Sequence, residues 1–313
     1  MDIIYIVVGL ILLILGGDWL LKAAVAFSLQ LKIPKMVIGM TVVSFATSAP
    51  ELIVSLKSAL SGHPDLALGN VIGSNIANLA MVLGVTILLS TIKVPKSFYK
   101  LDWLFMFAAS LLFSVFIFLD GTLQSHEGAI LFLMLVAYLV YILINRKSLN
   151  SEEEDIEVNQ TTIQSVGFLM LGGIALWGGS EILINGAISM AESFGVSQRI
   201  IGITIVSIGT SIPELSASIV AVIKKEKTIS LGNLIGSNVF NILAVLGLTA
   251  AITPISVMDI QLISNDIFWM LGVSFAILPL SFLNKRKKEK YLGKLQGAIL
   301  LLAYVIFITQ LVL

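Results

Sequence analysis

One segment of this chain occurs twice. Residues 39–84 and 202–247 align without a gap at a constant offset of 163. Each copy carries a carboxylate beside a proline, Pro50-Glu51 and Pro213-Glu214. Each continues into a glycine-asparagine run: Gly69-Asn70, Gly73-Ser74-Asn75 and Asn78 in the first, Gly232-Asn233, Gly236-Ser237-Asn238 and Asn241 in the second. The surroundings are oily. Of 313 residues 57% are hydrophobic and only 12% charged, against about 25% charged in a soluble domain. A duplicated polar motif set in apolar sequence marks an ion or substrate site where two repeats of a membrane protein meet.

Composition narrows the chemistry. Formal net charge is zero, so no global field favours nucleic acid. There is no cysteine, which removes disulfides, thiolate metal sites and cysteine nucleophiles. The only histidines, His63 and His126, fall in predicted short loops, which argues against a histidine metal centre. The first apolar run carries Asp18 and reads as a membrane span rather than a cleaved leader.

A bilayer core takes about 20 mostly apolar residues per helix. Ten spans are predicted, at 3–28, 36–61, 66–91, 101–119, 126–145, 163–192, 199–223, 228–251, 262–283 and 292–313. Two of them contain Thr-Ser-x-Pro-Glu, where proline removes a backbone donor and should kink or break the helix. The loops on one side collect 16 of the 19 basic residues, including Lys93, Lys96 and Lys100 and the run from Lys285 to Lys294. The other side holds essentially Lys57 and Arg199. The positive-inside rule makes the first side cytoplasmic, with both termini outside.

Five spans separate the two copies, so the second enters the membrane from the opposite face. The predicted fold is therefore an all-α polytopic membrane protein of ten transmembrane helices. It consists of two inverted five-helix repeats, 1–145 and 163–313, with helices broken at the duplicated motifs, and a cytoplasmic linker at 146–162. The likeness extends to the first span of each half, where Gly16 and Asp18 align with Gly179 and Glu181. The linker's acidic run, Glu152 to Glu157, reads as solvated chain rather than a cation sensor, because it lacks the spaced ligands and central glycine of a calcium loop.

A glutamate in mid-span costs several kcal/mol unless it is paired or hydrated. No basic residue lies deep enough in a span to neutralise Glu51 or Glu214, so a cation from outside the chain is the natural partner. The nearby ligands are all oxygen: two carboxylates, the hydroxyls of Thr47, Ser48, Thr210 and Ser211, and amides. Ca²⁺ and Na⁺ favour that set, whereas soft metals want sulfur or imidazole. Carbonyls of Ser44, Thr47, Ser207 and Thr210, loosened by the prolines, can join it. Two carboxylates balance one divalent ion, or Na⁺ ions, or two protons, and that exclusivity is the basis of exchange. Ser74 with Asn78, and Ser237 with Asn241, lie i, i+4 apart on one helical face and are read as site lining. The glycines of these runs are read as close helix packing. Asn75 and Asn238 point elsewhere and are expected to bond nearby backbone. Asp18 and Glu181 either line an ion path or bond another helix, and Trp19, Trp103 and Trp177 read as interface anchors.

At these residues the sequence resembles the calcium/cation antiporter superfamily. Ala46-Thr47-Ser48-Ala49-Pro50-Glu51 and Gly209-Thr210-Ser211-Ile212-Pro213-Glu214 are similar to the cores of that family's paired repeats, and each is followed by the Gly-Asn-x-x-Gly-Ser-Asn run. The ten-span plan resembles the prokaryotic sodium/calcium exchangers. The resemblance implies an antiporter that exchanges Ca²⁺ for Na⁺ by alternating access, with no cofactor and with the lipid bilayer as its only other partner. It implies Ca²⁺ ligands at Glu51, Glu214, Thr47 and Thr210. It implies Na⁺ ligands at Ser44, Ser48, Ser74, Ser207, Ser211 and Ser237 together with the glutamates, Asn78 and Asn241 lining the middle, and the first and sixth spans sliding against the rest. Some members have aspartate where this chain has Asn241, and Ala46 stands opposite Gly209.

Proton/calcium antiport on the same scaffold is the alternative, since buried glutamates also carry protons. The wealth of serine and carbonyl oxygen favours Na⁺, because a proton needs no coordination shell. A passive channel fits inverted repeats with interrupted helices poorly. An intramembrane enzyme lacks a nucleophile with its base. The site lies within one chain, so a monomer suffices, and the host is the cell membrane. Deleting most of 152–157 is expected to leave exchange intact, and a dead transporter would show the acidic run to be part of the machinery.

Overall fold

The structure, a computed structural model, describes residues 2–145, 161–194, 209–286 and 289–312. The acidic run, Arg199 and Ser207 lie outside these residues. The helices are α1 (Asp2–Leu31), α2 (Lys35–Leu60), α3 (Pro64–Leu89), α4 (Phe98–Asp120), α5 (Ser125–Ile144), α6 (Thr162–Ser193), α7 (Ile212–Ile223), α8 (Lys227–Ile252), α9 (Leu262–Leu283) and α10 (Lys294–Val312). Nine of those described are long and apolar enough to cross a membrane, and α7 is the shorter tenth. Leu and Ile side chains on the outer faces of α1, α6 and α10 are exposed, as a lipid-facing surface requires.

The centre of the bundle is α3 and α8, the spans that carry the glycine-asparagine runs and the most buried of all. Small residues allow this crowding. A Cβ on Gly232 or Gly236 of α8 would run into the backbone of α2 at Met36 and Met40. Around this core α1 and α6 pack antiparallel on each other along their lengths. Asp2 accepts a hydrogen bond from Ser189 at one end, and Gln30 donates to Ser165 at the other. Gly9 and Gly16 on α1 meet Gly179 and Gly172 on α6, each close enough that a side chain would strike backbone.

The motif helices are interrupted in two ways. In α7 a turn at Thr210 and Ser211 precedes the helix, with Pro213 in its first turn, where its missing N–H costs nothing. In α2 the chain stays helical through Pro50, and a π-helical turn at Gly39–Val43 takes up the irregularity. Further π-helical turns sit at Ala77–Val82 in α3 and Asn241–Leu246 in α8, just past the Gly-Ser-Asn runs. Such turns concentrate at functional sites.

Short strands, which the sequence reading lacked, close the ends. They are β1 (Ile92–Val94), β2 (Thr122–Leu123), β3 (Ile255–Ser256), β4 (Lys285–Arg286) and β5 (Glu289–Leu292). β1 follows α3 and pairs antiparallel with β5, which precedes α10; β3 follows α8 and pairs with β2, which precedes α5. Each pairing joins one half to the other, and the two are related by the inverted repeat. The helix starts behave alike. Glu127 caps α5 by accepting from the Gln124 N–H at 2.8 Å, and Gln296 caps α10 by accepting from the Gly293 N–H at 3.1 Å. So do the glycines, since Gly128 of α5 abuts Gly247 of α8, and Gly297 of α10 abuts Gly84 of α3.

Lysine-bearing loops gather on one face. There Lys35 pairs with Glu226 at 2.9 Å, Lys227 donates to the Thr91 carbonyl, and Lys93 pairs with Glu289. On the opposite face Asp65 accepts from the N–H groups of Met258 and Asp259. Trp103 departs from its reading as an interface anchor. It is buried, with its indole donating to the Ser274 carbonyl at 2.8 Å, so α4 uses it to pack on α9.

A Cβ on Gly128 would lie 2.6 Å from the Ala251 nitrogen, with no flexible atom to yield. Gly128→Val is expected to destabilise the protein by about 1–3 kcal/mol, as overpacking does. Gly167→Val, where nothing lies within 4 Å, should change little. Thermal unfolding of the two variants in detergent checks this.

Candidate functional site: a buried carboxylate pair between the halves

Helical spacing gathers the site. On α2, Ser44, Thr47, Ser48 and Glu51 fall at i, i+3, i+4 and i+7, one face that turns inward. Ser211 and Glu214 stand at the start of α7. Ser74 and Asn78 project from α3, and Ser237 and Asn241 from α8. Each of these is at most 3% exposed, and Thr210 is partly buried. Eleven of the twelve predicted ligands are therefore described, all of them inside the bundle.

Contacts across the halves knit them together. Thr47 of the first half meets Ser237 of the second at 3.4 Å. Thr210 of the second meets Ser74 of the first at 3.3 Å. These are equivalent pairs under the repeat. Glu51 and Glu214 face each other closely enough to repel, and Thr47 and Ser48 flank Glu214. Asn241 donates to the Asn75 side chain at 3.1 Å, and Asn75 in turn donates to the Asn238 carbonyl. Asn238 bonds its own helix at the Leu234 carbonyl, as expected of it. Asn75 does more than expected, because it orients Asn241.

Ser44 differs from the other serines. Its hydroxyl lies 2.8 Å from the carbonyl oxygens of both Gly39 and Asn233, which share its one proton, and so fastens the π-helical turn of α2 to α8. The sequence reading did not single out Asn233 as a site residue. Its side-chain oxygen accepts from Thr47 at 3.3 Å, which places it beside the centre. The signal was available, since Asn70 and Asn233 recur at the repeat offset, as do Ser55 and Ser218.

Among the described residues no positive charge reaches the centre. All four carboxylate oxygens of Glu51 and Glu214 are buried without a hydrogen-bond partner among the described residues. So are the hydroxyls of Ser48 and Ser211, both amide atoms of Asn78 and the amide oxygen of Asn241. Lys22 does lie within a span, but it pairs with Asp18 on the same helix at 2.8 Å. Asp18 also pairs with Lys224 at the end of α7, so it bonds another helix, and Glu181 is exposed. Among the described residues no three His, Cys, Asp or Glu side chains come together, so two carboxylates are the fixed charge of the centre. Buried charges persist only when balanced. A ring of carboxylate, hydroxyl and amide oxygens suits a hard cation.

Known proteins share this plan. The family model described as sodium/calcium exchanger protein matches residues 1–144 and 164–313. The inner membrane protein YrbG of Escherichia coli (strain K12) is 36% identical over 284 residues, covering 87% of each chain. The sodium/calcium exchanger MaX1 of Methanosarcina acetivorans is 27% identical over 353 residues, covering 99% of this chain and 98% of that one. Among solved structures, the sodium-calcium exchanger NCX_Mj soaked with zero Na⁺ and Ca²⁺ superposes with a TM-score of 0.84 at 27% identity, covering 98% of each chain. The matched family and the named exchangers are transporters rather than enzymes, and the duplicated glutamate motifs, the inverted halves and the oxygen-lined centre are accounted for together: the chain is a multi-pass membrane protein of the sodium/calcium exchanger family.

Proposed function

We propose that this protein is a secondary antiporter that exchanges Ca²⁺ for Na⁺ across the cell membrane by alternating access. The observation that carries the reading is the pair of buried glutamates with four unpartnered oxygens. Two carboxylates cancel one Ca²⁺, and the same two are satisfied by Na⁺ ions once Ca²⁺ has left. The two loads exclude each other because both need the same charge. Glu51, Glu214, Thr47 and Thr210 take Ca²⁺. Ser44, Ser48, Ser74, Ser207, Ser211 and Ser237, with the glutamates, take Na⁺, while Asn78 and Asn241 line the middle. The halves, 1–145 and 163–313, enclose the ions near mid-membrane and are joined through a cytoplasmic linker at 146–162. The lysine-bearing face is cytoplasmic, both termini face out, and one chain suffices.

The test is Ca²⁺ uptake into proteoliposomes under an outward Na⁺ gradient and, separately, an outward H⁺ gradient. Uptake driven by Na⁺ alone is expected. Uptake driven by H⁺ alone would keep the site and assign the protein to proton coupling. No uptake under either gradient would refute Ca²⁺ as the cargo.

Each glutamate supplies half the charge that replaces the hydration of Ca²⁺. Glu51→Gln and Glu214→Gln are each expected to lower Ca²⁺ uptake at least about 100-fold, in line with the loss of one member of a buried ionic group. Gel filtration should show both variants folded. Near-normal transport by both would remove these residues from the site.

A further inference from the structure

We propose that Ser218, Ser230 and Asn233 line the passage by which ions move between the Glu51–Glu214 centre and the lysine-bearing face. The proposal rests on the antiport reading above and adds a route to it.

The three residues stand where such a passage must run. Ser218 follows Glu214 by one turn of α7, whose far end reaches Lys224 on the lysine-bearing face. Ser230 lies in the first turn of α8, and Asn233 is one turn before Ser237. All three are at most 1% exposed. Even so, the hydroxyls of Ser218 and Ser230 and the amide nitrogen of Asn233 have no hydrogen-bond partner among the described residues. Polar groups buried this way are costly unless water or an ion reaches them.

A cavity adjoins two of them. Ser230 and Asn233 line it together with Gly17, Leu20 and Leu21 of α1, Val43 of α2 and Ala217 of α7. It offers about 10 Å³ to the centre of a water molecule, room for one water or one small ion. Asn233 connects it to the centre, since its oxygen holds Thr47 while its nitrogen is left over.

The other half supplies the contrast. The equivalent residues there are Ser55, Ala67 and Asn70. Asn70 donates to Ser55 at 2.9 Å and to the Glu51 carbonyl at 3.4 Å, and Ser55 donates to the Ala67 carbonyl. That set is closed on itself. On the lysine-bearing side the hydroxyl of Ser218 and the amide nitrogen of Asn233 are left without a partner among the described residues, and alanine is replaced by Ser230, which adds a further hydroxyl. An open polar pair on one side and a closed one on the other is the asymmetry that alternating access demands.

The chain has no cysteine, so single cysteines report access cleanly. Ser230→Cys would be treated with a membrane-impermeant thiol reagent in vesicles of each orientation. Lys96→Cys and Ser61→Cys mark the two faces, and Ala80→Cys serves as the buried control. Ser230→Cys is expected to retain uptake, to react from the lysine-bearing face at least about tenfold faster than Ala80→Cys, and to lose uptake once labelled. Ala67→Cys should not react from that face. Reaction of Ser230→Cys only from the opposite face, or no faster than Ala80→Cys from either, overturns the proposal. If Ser230→Cys is inactive before labelling, Ser218→Cys is read by the same criteria. In addition, Ser230→Leu should slow uptake at least about tenfold while Ca²⁺ binding to the solubilised protein stays within about twofold. A parallel loss of binding would make Ser230 part of the site rather than the route. Absence of Na⁺-driven uptake by the unmodified protein would count against the antiport reading, whereas the labelling pattern bears on the passage alone.

Discussion

Two glutamates that repel each other inside a helix bundle set the terms for everything around them. Left alone they would be among the most costly features of the protein, because neither hydrocarbon nor a packed interior solvates a carboxylate. Among the described residues no arginine or lysine relieves that cost. The chain surrounds Glu51 and Glu214 with hydroxyls and amides, which help to coordinate a cation without replacing it. A site satisfied from within would be structural, whereas one that can be satisfied only from outside is suited to loading and release.

The rest of the architecture brings that pair together and keeps it buried. α3 and α8 give up bulk to glycine so that α2 can come close, and Ser44 then fastens a π-helical turn of α2 to the α8 backbone. Thr47 with Ser237, and Thr210 with Ser74, repeat the same handshake from opposite directions. Outside this core α1 and α6 form a separate ribbon that meets itself through glycines along its length. Smooth contact of this kind resists sliding less than interlocked side chains do. Asp18, tied to Lys22 and Lys224, links the ribbon to the end of α7.

Much of this was legible in the sequence because polar residues are expensive where they occur. Glu51 and Glu214 stood out against apolar surroundings, and the offset of 163 made two weak signals into one strong one. The spans followed from hydropathy. The remainder was hidden for physical reasons. Strands of two to four residues, such as β2 and β3, are too short to show a period, and their register is set by a partner far away in the chain. The π-helical turns at Ala77–Val82 and Asn241–Leu246 arise from how α3 and α8 pack, not from local propensity. Trp103 looked like an interface anchor because tryptophan often is one, yet its depth depends on α9. Asn233 belonged to a motif whose glycines explain themselves by packing, which masked the asparagine's separate work beside Thr47.

The strand pairs carry a consequence for how such a chain could have arisen. β1 belongs to the first half and completes its ladder only with β5 of the second; β3 belongs to the second and completes its ladder only with β2 of the first. A half-length polypeptide would reach the membrane with two raw edges and half a binding site. It could heal both only by meeting a copy of itself inserted upside down. Gene duplication followed by fusion would then have turned an encounter between antiparallel twins into a permanent covalent marriage, and the linker between residues 145 and 161 would be its seam.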